Sequence, residues 1–197
     1  MNKDIKTKSF FNKPYFILFF LMSVLFVIDM ITGRYLTQNG GAIYPREFSH
    51  FSGVFFSTLL HANVAHISAN SLPFLVLGWF LKKTMTDGEF YLMFAFITIF
   101  SGLMVWIMGS PSFHLGASSV IFGMWSLILY FAFIRRTFKD ILIGTLIFFA
   151  YGFTFIFGLI PQEGISFAGH FWGLVGGILF GWLFLKSEKI EHGFSQK

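Results

Sequence analysis

Three stretches of this chain carry side chains able to do chemistry in an otherwise apolar setting. His61, Asn63, His66 and Asn70 fall close together, His114 and Ser118 form a second group, and His170 stands in a third. A hydroxyl beside an imidazole is a minimal set for acyl transfer, because the imidazole takes the hydroxyl proton during attack and returns it to the leaving group. Ser118 and His170 are the candidate nucleophile and base. His66 and Asn70, four residues apart, share one face of a helix and offer N–H groups to a developing oxyanion. The backbone N–H of Ser118, near a helix start, is a third donor.

Each residue also has an ordinary structural reading. A serine in a membrane helix commonly bonds a carbonyl one turn earlier, a lone histidine bridges helices, and a His–Asn pair can simply hold a bundle together. No acidic residue is placed to complete a triad. Phe122, one turn below Ser118, has a face on which an imidazole can stack, and equally reads as plain helix packing. The chain has no cysteine, which excludes thiol catalysis, disulfides and cysteine-ligated metal. A His-Glu-x-x-His motif is absent and Asp29 lacks an aspartyl partner, so metalloprotease and aspartyl-protease chemistry fit poorly.

The elements that must position these groups are membrane helices. The chain is 55% hydrophobic and 12% charged, with 31 phenylalanines among 197 residues, a balance that a water-soluble domain does not show. Apolar runs predict an all-α membrane protein with spans at Pro14 to Ile31, Phe56 to Leu81, Phe90 to Met108, Gly116 to Ile134, Ile141 to Ile160 and Ser166 to Leu185. With both termini cytoplasmic, only Arg34 and Arg46 of the 14 Lys and Arg residues fall on the outer side. The +5 net charge thus reads as loop charge rather than a nucleic-acid site. The expected organisation is a cytoplasmic segment over residues 1–13, a membrane domain over 14–187 and a cytoplasmic tail over 188–197. The connection from Thr32 to Phe55 carries Phe48, Phe51 and Phe55, as a segment resting in the membrane interface would.

The second, fourth and sixth spans run in the same direction, which allows a comparison of depth. His66, Ser118 and His170 each stand about 16 or 17 residues before the first cytoplasmic charge, so all three sit roughly 24 to 26 Å above the inner boundary. Gly169, Gly173, Gly177 and Gly181 recur every four residues, and the last three lie within about 60° of His170 on the helix. Such a bare ridge lets a neighbouring helix approach closely. If that neighbour is the fourth span, Ser118 comes within reach of His170. A transporter or channel would instead spread its ionisable groups along a path through the membrane.

These residues resemble the rhomboid family of intramembrane serine proteases, through His61-Ala-Asn-Val-Ala-His66-Ile-Ser-Ala-Asn70, His114-Leu-Gly116-Ala-Ser118-Ser119 and Gly169-His170-Phe-Trp-Gly173-Leu-Val-Gly176-Gly177. The resemblance covers about residues 50 to 185, with the motifs on the second, fourth and sixth of six spans. It implies a six-helix rhomboid-like bundle, a Ser118 nucleophile, a His170 base and acid, and an oxyanion site of His66, Asn70 and the Ser118 amide. His61 would be structural, as would Gly116, Phe122, Gly173 and Gly177 near the site. The resemblance implies no metal or organic cofactor. It implies membrane-protein substrates within a lipid bilayer, and the fifth span with the Pro161 to Ile165 loop as a lateral gate and cap. The Phe149, Phe153, Phe157 stripe reads as part of that gate or as a lipid-facing surface. A bacterial plasma membrane fits the size and loop charge, with the site toward the external side.

Three positions depart from the family pattern. Ser119 replaces the usual glycine after the serine, the outer loop lacks the usual Trp-Arg pair, and Lys82 replaces a common acidic residue. A non-catalytic relative, acting as a binding or quality-control factor, is the rival reading, yet such a protein is expected to have lost the serine or the histidine.

Overall fold

A computed structural model describes residues 10–160 and 164–184. The C-terminal tail expected on the cytoplasmic side, most of the N-terminal segment, Leu185 and the Pro161 end of the expected cap loop lie outside the described residues. Among those described there is no β-strand, only an isolated antiparallel bridge between Ile43 and His114. Six helices are long and apolar enough to cross a membrane: α1 (Pro14–Ile31), α3 (Val64–Leu81), α4 (Asp87–Met108), α5 (Ser118–Arg135), α6 (Phe138–Gly158) and α7 (Phe167–Phe184). A short α2 (Gly53–Phe56) lies in the connection from α1 to α3.

Local sequence sets where several of these helices begin. Pro14 occupies the first turn of α1, where a missing N–H costs nothing. Thr86 and Glu89 form a capping box at α4, and Thr137 Oγ1 accepts from the Asp140 N–H at 3.1 Å to start α6. At α7, Ser166 Oγ accepts from the Gly169 N–H at 3.0 Å.

The second span is shorter than its apolar run predicts. The run from Phe56 does not enter α3: Ser57–Leu59 forms a 3₁₀ turn, Asn63 is extended at φ −163°, and the helix begins at Val64. The physical cause is Asn63, whose Oδ1 accepts the His66 N–H at 2.8 Å and so replaces the missing helical partner. His61 therefore stands on the turn before α3 and not on the helix. In the connection from α1 to α3, Phe48 and Phe51 pack edge-on against Trp106 while remaining exposed on their other sides.

Helix α5 is the centre of the bundle, with a continuous buried run from Val120 to Ile128. It lies parallel to α7, since Gly173 meets Ser119, Gly177 meets Gly123 and Gly181 meets Tyr130 in register. The ridge of glycines thus packs against the helix carrying Ser118. A methyl group at Gly173 would collide with the Ser119 carbonyl, and one at Gly177 with the Gly123 carbonyl. Ser126 Oγ also reaches across to the Leu174 carbonyl at 2.8 Å.

Adding one methyl group at Gly177 forces two backbones apart, so Gly177→Ala is expected to cost about 1 to 3 kcal/mol, the usual range for overpacking. The matching control is Gly88→Ala, where a Cβ meets nothing within 4 Å. Thermal unfolding in detergent, followed by circular dichroism, should show a lowered Tm for the first variant and little change for the second. Equal Tm values would show that α5 and α7 are not in backbone contact.

Candidate active site

His170 lies one turn into α7, and its ring is fixed from two sides. Its Nδ1 is 2.7 Å from the Gly158 carbonyl at the end of α6. A carbonyl only accepts, so Nδ1 carries the proton and Nε2 is left with a free lone pair. Phe122 of α5 stacks on the ring, with centroids 4.1 Å apart and planes 11° apart. Gly158 is required for this arrangement: a Cβ there would stand 2.8 Å from Phe122 Cζ and 3.1 Å from His170 Nδ1.

Ser118 is the first residue of α5, half-buried and preceded by Ala117, whose side chain cannot cap. Its backbone N–H has no partner within the helix. The turn leading to it is made by Gly116 at φ +116°, a backbone conformation that L side chains rarely adopt. The His66 ring lies directly over Gly116, with Nε2 2.7 Å from where a Cβ would be. Glycine is thus needed at 116 both for the turn and for the neighbouring imidazole.

His66 and Asn70 extend from the first turns of α3. His66 Nδ1 accepts from the Ala62 N–H at 3.4 Å, which places its proton on Nε2. Asn70 Nδ2 donates one hydrogen to the His66 carbonyl at 3.0 Å and keeps its second. His61 is buried behind them, edge-on to His66 at 5.2 Å, and its Nε2 accepts from the Ala117 N–H at 3.4 Å. It therefore joins the turn before α3 to the turn before Ser118. Burial pushes the His61 imidazole down to about 3, helped by the nearby His66.

Ser118, His170, His66, Asn70 and Phe122 all line one cavity of about 1090 Å³. Ser118 and His170 share it without a hydrogen bond between them. His61, Gly116, Gly173 and Gly177 stand outside it and support the groups that line it. Phe153 and Phe157 of α6 line the cavity, whereas Phe149 is exposed elsewhere. No cluster of three or more His, Cys, Asp or Glu side chains able to hold a metal occurs among the described residues.

Two features were not singled out from the sequence. Arg34, noted only as an outer-loop charge, lines the cavity. His114 and Ser166 form a bridge from the loop before α5 to the start of α7. His114 Nε2 donates to the Ser110 carbonyl at 2.9 Å, and Nδ1 accepts from Ser166 Oγ at 2.7 Å. Its backbone also exchanges hydrogen bonds of 2.8 and 3.0 Å with Ile43. No periodicity in the sequence signals these long-range partners.

The buried histidines make stability depend on pH. His61 and His114 both have lowered pKa values, chiefly from burial, so the unfolded chain takes up protons below about 6.5 that the folded chain refuses. Stability is thus full above that value and falls as the pH drops below it, with His61 contributing up to about 1.4 kcal/mol per unit down to about pH 3 and His114 adding in the same direction. Tm measured in detergent from pH 7 to pH 4 should decline, and His61→Gln should flatten the decline. A slope unchanged by that substitution would contradict the buried neutral state of His61.

Comparison with known proteins identifies the family. Residues 48–187 match the Rhomboid domain model. The chain is 36% identical over 179 residues to an uncharacterized protein of Mycobacterium tuberculosis, covering 86% of this chain and 73% of the relative. A Mycobacterium leprae protein, also uncharacterized, is 32% identical over 179 residues, covering 86% and 69%. Rhomboid protease GluP of Bacillus subtilis is 28% identical over 180 residues, covering 84% of this chain and 34% of GluP. With six apolar helices, three motifs converging on one cavity and a domain match over most of its length, this chain belongs to the rhomboid family.

Proposed function

We propose that this protein is an intramembrane serine protease in which Ser118 and His170 act as a catalytic dyad. The observation that carries this reading is the state of His170. Its Nδ1–H is held by the Gly158 carbonyl, which leaves Nε2 free as a base in the cavity that Ser118 also lines. In this mechanism Ser118 Oγ attacks a substrate peptide carbonyl while its proton passes to His170 Nε2. The oxyanion is stabilised by His66 Nε2–H, the free Asn70 N–H and the Ser118 backbone N–H. The C–N bond then breaks, His170 returns the proton to the leaving amine, and water hydrolyses the acyl-enzyme by the same steps in reverse order. Fixing the ring by a carbonyl and a stacked Phe122 replaces the carboxylate of a triad as the orienting device.

The substrates are transmembrane proteins cut in or near their spans. Support comes from the cavity wall, where Phe153 and Phe157 of α6 give an apolar edge suited to an incoming helix, beside the polar Ser118 and His170. The cavity opens on the external side of a bacterial plasma membrane, in keeping with the placement of basic loops on the opposite side.

A fluorophosphonate probe tests the dyad in detergent. Wild-type protein should be labelled, Ser118→Ala should not, and His170→Ala should be slowed by roughly 10²-fold or more, the usual worth of a positioned base. In liposomes with a transmembrane substrate, cleavage should follow the same order. Labelling of Ser118→Ala at the wild-type rate would overturn the assignment. A properly folded wild type that neither labels nor cleaves would favour the non-catalytic reading.

A further inference from the structure

Arg34 in the cavity wall is paired with a buried carboxylate behind it, and the mechanism above does not use this pair. Asp29, at the end of α1, is fully buried, and its Oδ2 accepts from Arg34 Nη1 at 2.9 Å. The same carboxylate accepts from the Thr37 N–H at 3.1 Å and from Thr37 Oγ1 at 2.6 Å, so Asp29 is satisfied on both oxygens. Arg34 itself adopts φ +70°, next to Gly33 at φ +66°. For a non-glycine residue this conformation costs free energy and persists only where surrounding bonds enforce it.

The guanidinium reaches a specific target across the fold. Arg34 Nη1 donates to the His61 carbonyl at 2.8 Å, and Nη2 donates to the Ala62 carbonyl. The His61 carbonyl and the Ala62 N–H belong to one peptide group. That N–H is the donor that holds His66 Nδ1. A cation on the carbonyl end of a peptide polarises it and strengthens donation from its N–H end, since bonds in a chain reinforce each other. The bonds thus run from Asp29 through Arg34 and the peptide joining His61 to Ala62, and end on the His66 ring.

We infer that the Asp29–Arg34 pair is a positioning device that fixes His66 in the tautomer bearing its proton on Nε2, so that it can donate to the oxyanion. The alternative tautomer would present a lone pair to the developing negative charge and raise the barrier instead of lowering it. Arg34 also lines the cavity beside this donor. Asp29 holds the guanidinium in place without entering the cavity. The inference rests on the proposed oxyanion role of His66, whereas the tautomer itself is independent of any activity.

The test uses the double variant Asp29→Asn/Arg34→Met, which removes both charges and leaves no lone buried ion, with Arg34→Lys as a conservative partner. Thermal unfolding shows whether each is folded. Histidine-labelled protein in detergent is read by long-range ¹H–¹⁵N correlation, with the His66 signals assigned by their loss in His66→Asn. Wild-type His66 should show a protonated Nε2 and bare Nδ1, and the double variant should show a mixture of tautomers. In cleavage assays kcat should fall about tenfold or more with KM little changed, short of the roughly 10²- to 10³-fold loss typical of deleting an oxyanion donor outright. Arg34→Lys should recover part of both effects. Within a His66→Ala background the double variant should cost nothing further. An unchanged His66 tautomer in the folded double variant would overturn the inference whether or not the protein cleaves substrates. A shifted tautomer in the double variant, together with a folded wild type that shows no cleavage, would instead refute the protease reading alone.

Discussion

A helix without side chains on one face can be approached until backbone meets backbone, and in this fold that contact joins α5 to α7. Gly173 and Gly177 lie against the carbonyls of Ser119 and Gly123 with no room for a methyl group. The first residue of α5 and the first turn of α7 are thereby brought to the same level of the bundle. Without this approach, a layer of side chains would stand between the helix of Ser118 and the helix of His170. The site depends on an absence of side-chain volume as much as on the side chains present.

Closeness alone does not orient the groups, and the orientation comes from the loops. Gly116 turns the chain into α5 at a left-handed φ and leaves space for His66 above it. His61 bridges to the Ala117 N–H, the Gly158 carbonyl accepts from His170 Nδ1–H, and His114 with Ser166 links the loop before α5 to α7. These are bonds from imidazoles to backbone groups and one hydroxyl, and together they settle which nitrogen of each ring bears a proton. Each such bond favours one tautomer of its ring over the other, so the tautomers form part of the architecture. Ser119, where glycine is usual, is accommodated because its backbone rather than its side chain faces Gly173.

Much of this was legible in the sequence. Apolar length alone located six helices, and the four-residue glycine spacing identified the face of α7 that packs closely. Phe122 was placed one turn below Ser118, and it is the residue that stacks on His170. What the sequence did not convey was any relation fixed by the irregular chain between helices. Phe56 to Asn63 reads as helix because it leads without a break into the apolar run that follows, and only the Asn63 cap shows where α3 starts. Asp29 and Arg34 carry no periodic signal, since they bond each other and Thr37 in an irregular turn, and Arg34 reaches the carbonyls of His61 and Ala62 far along the chain. Gly158 looks like any glycine at a helix end until the His170 ring is set against it.

The structure of a covalent adduct tests the central claim most directly. If the protein is solved after reaction with a fluorophosphonate, the account predicts phosphorus bonded to Ser118 Oγ. The phosphoryl oxygen should lie within hydrogen-bond reach of His66 Nε2 and Asn70, with His170 still held by the Gly158 carbonyl. An adduct on another serine, such as Ser166, or a phosphoryl oxygen directed away from His66 and Asn70, would contradict it.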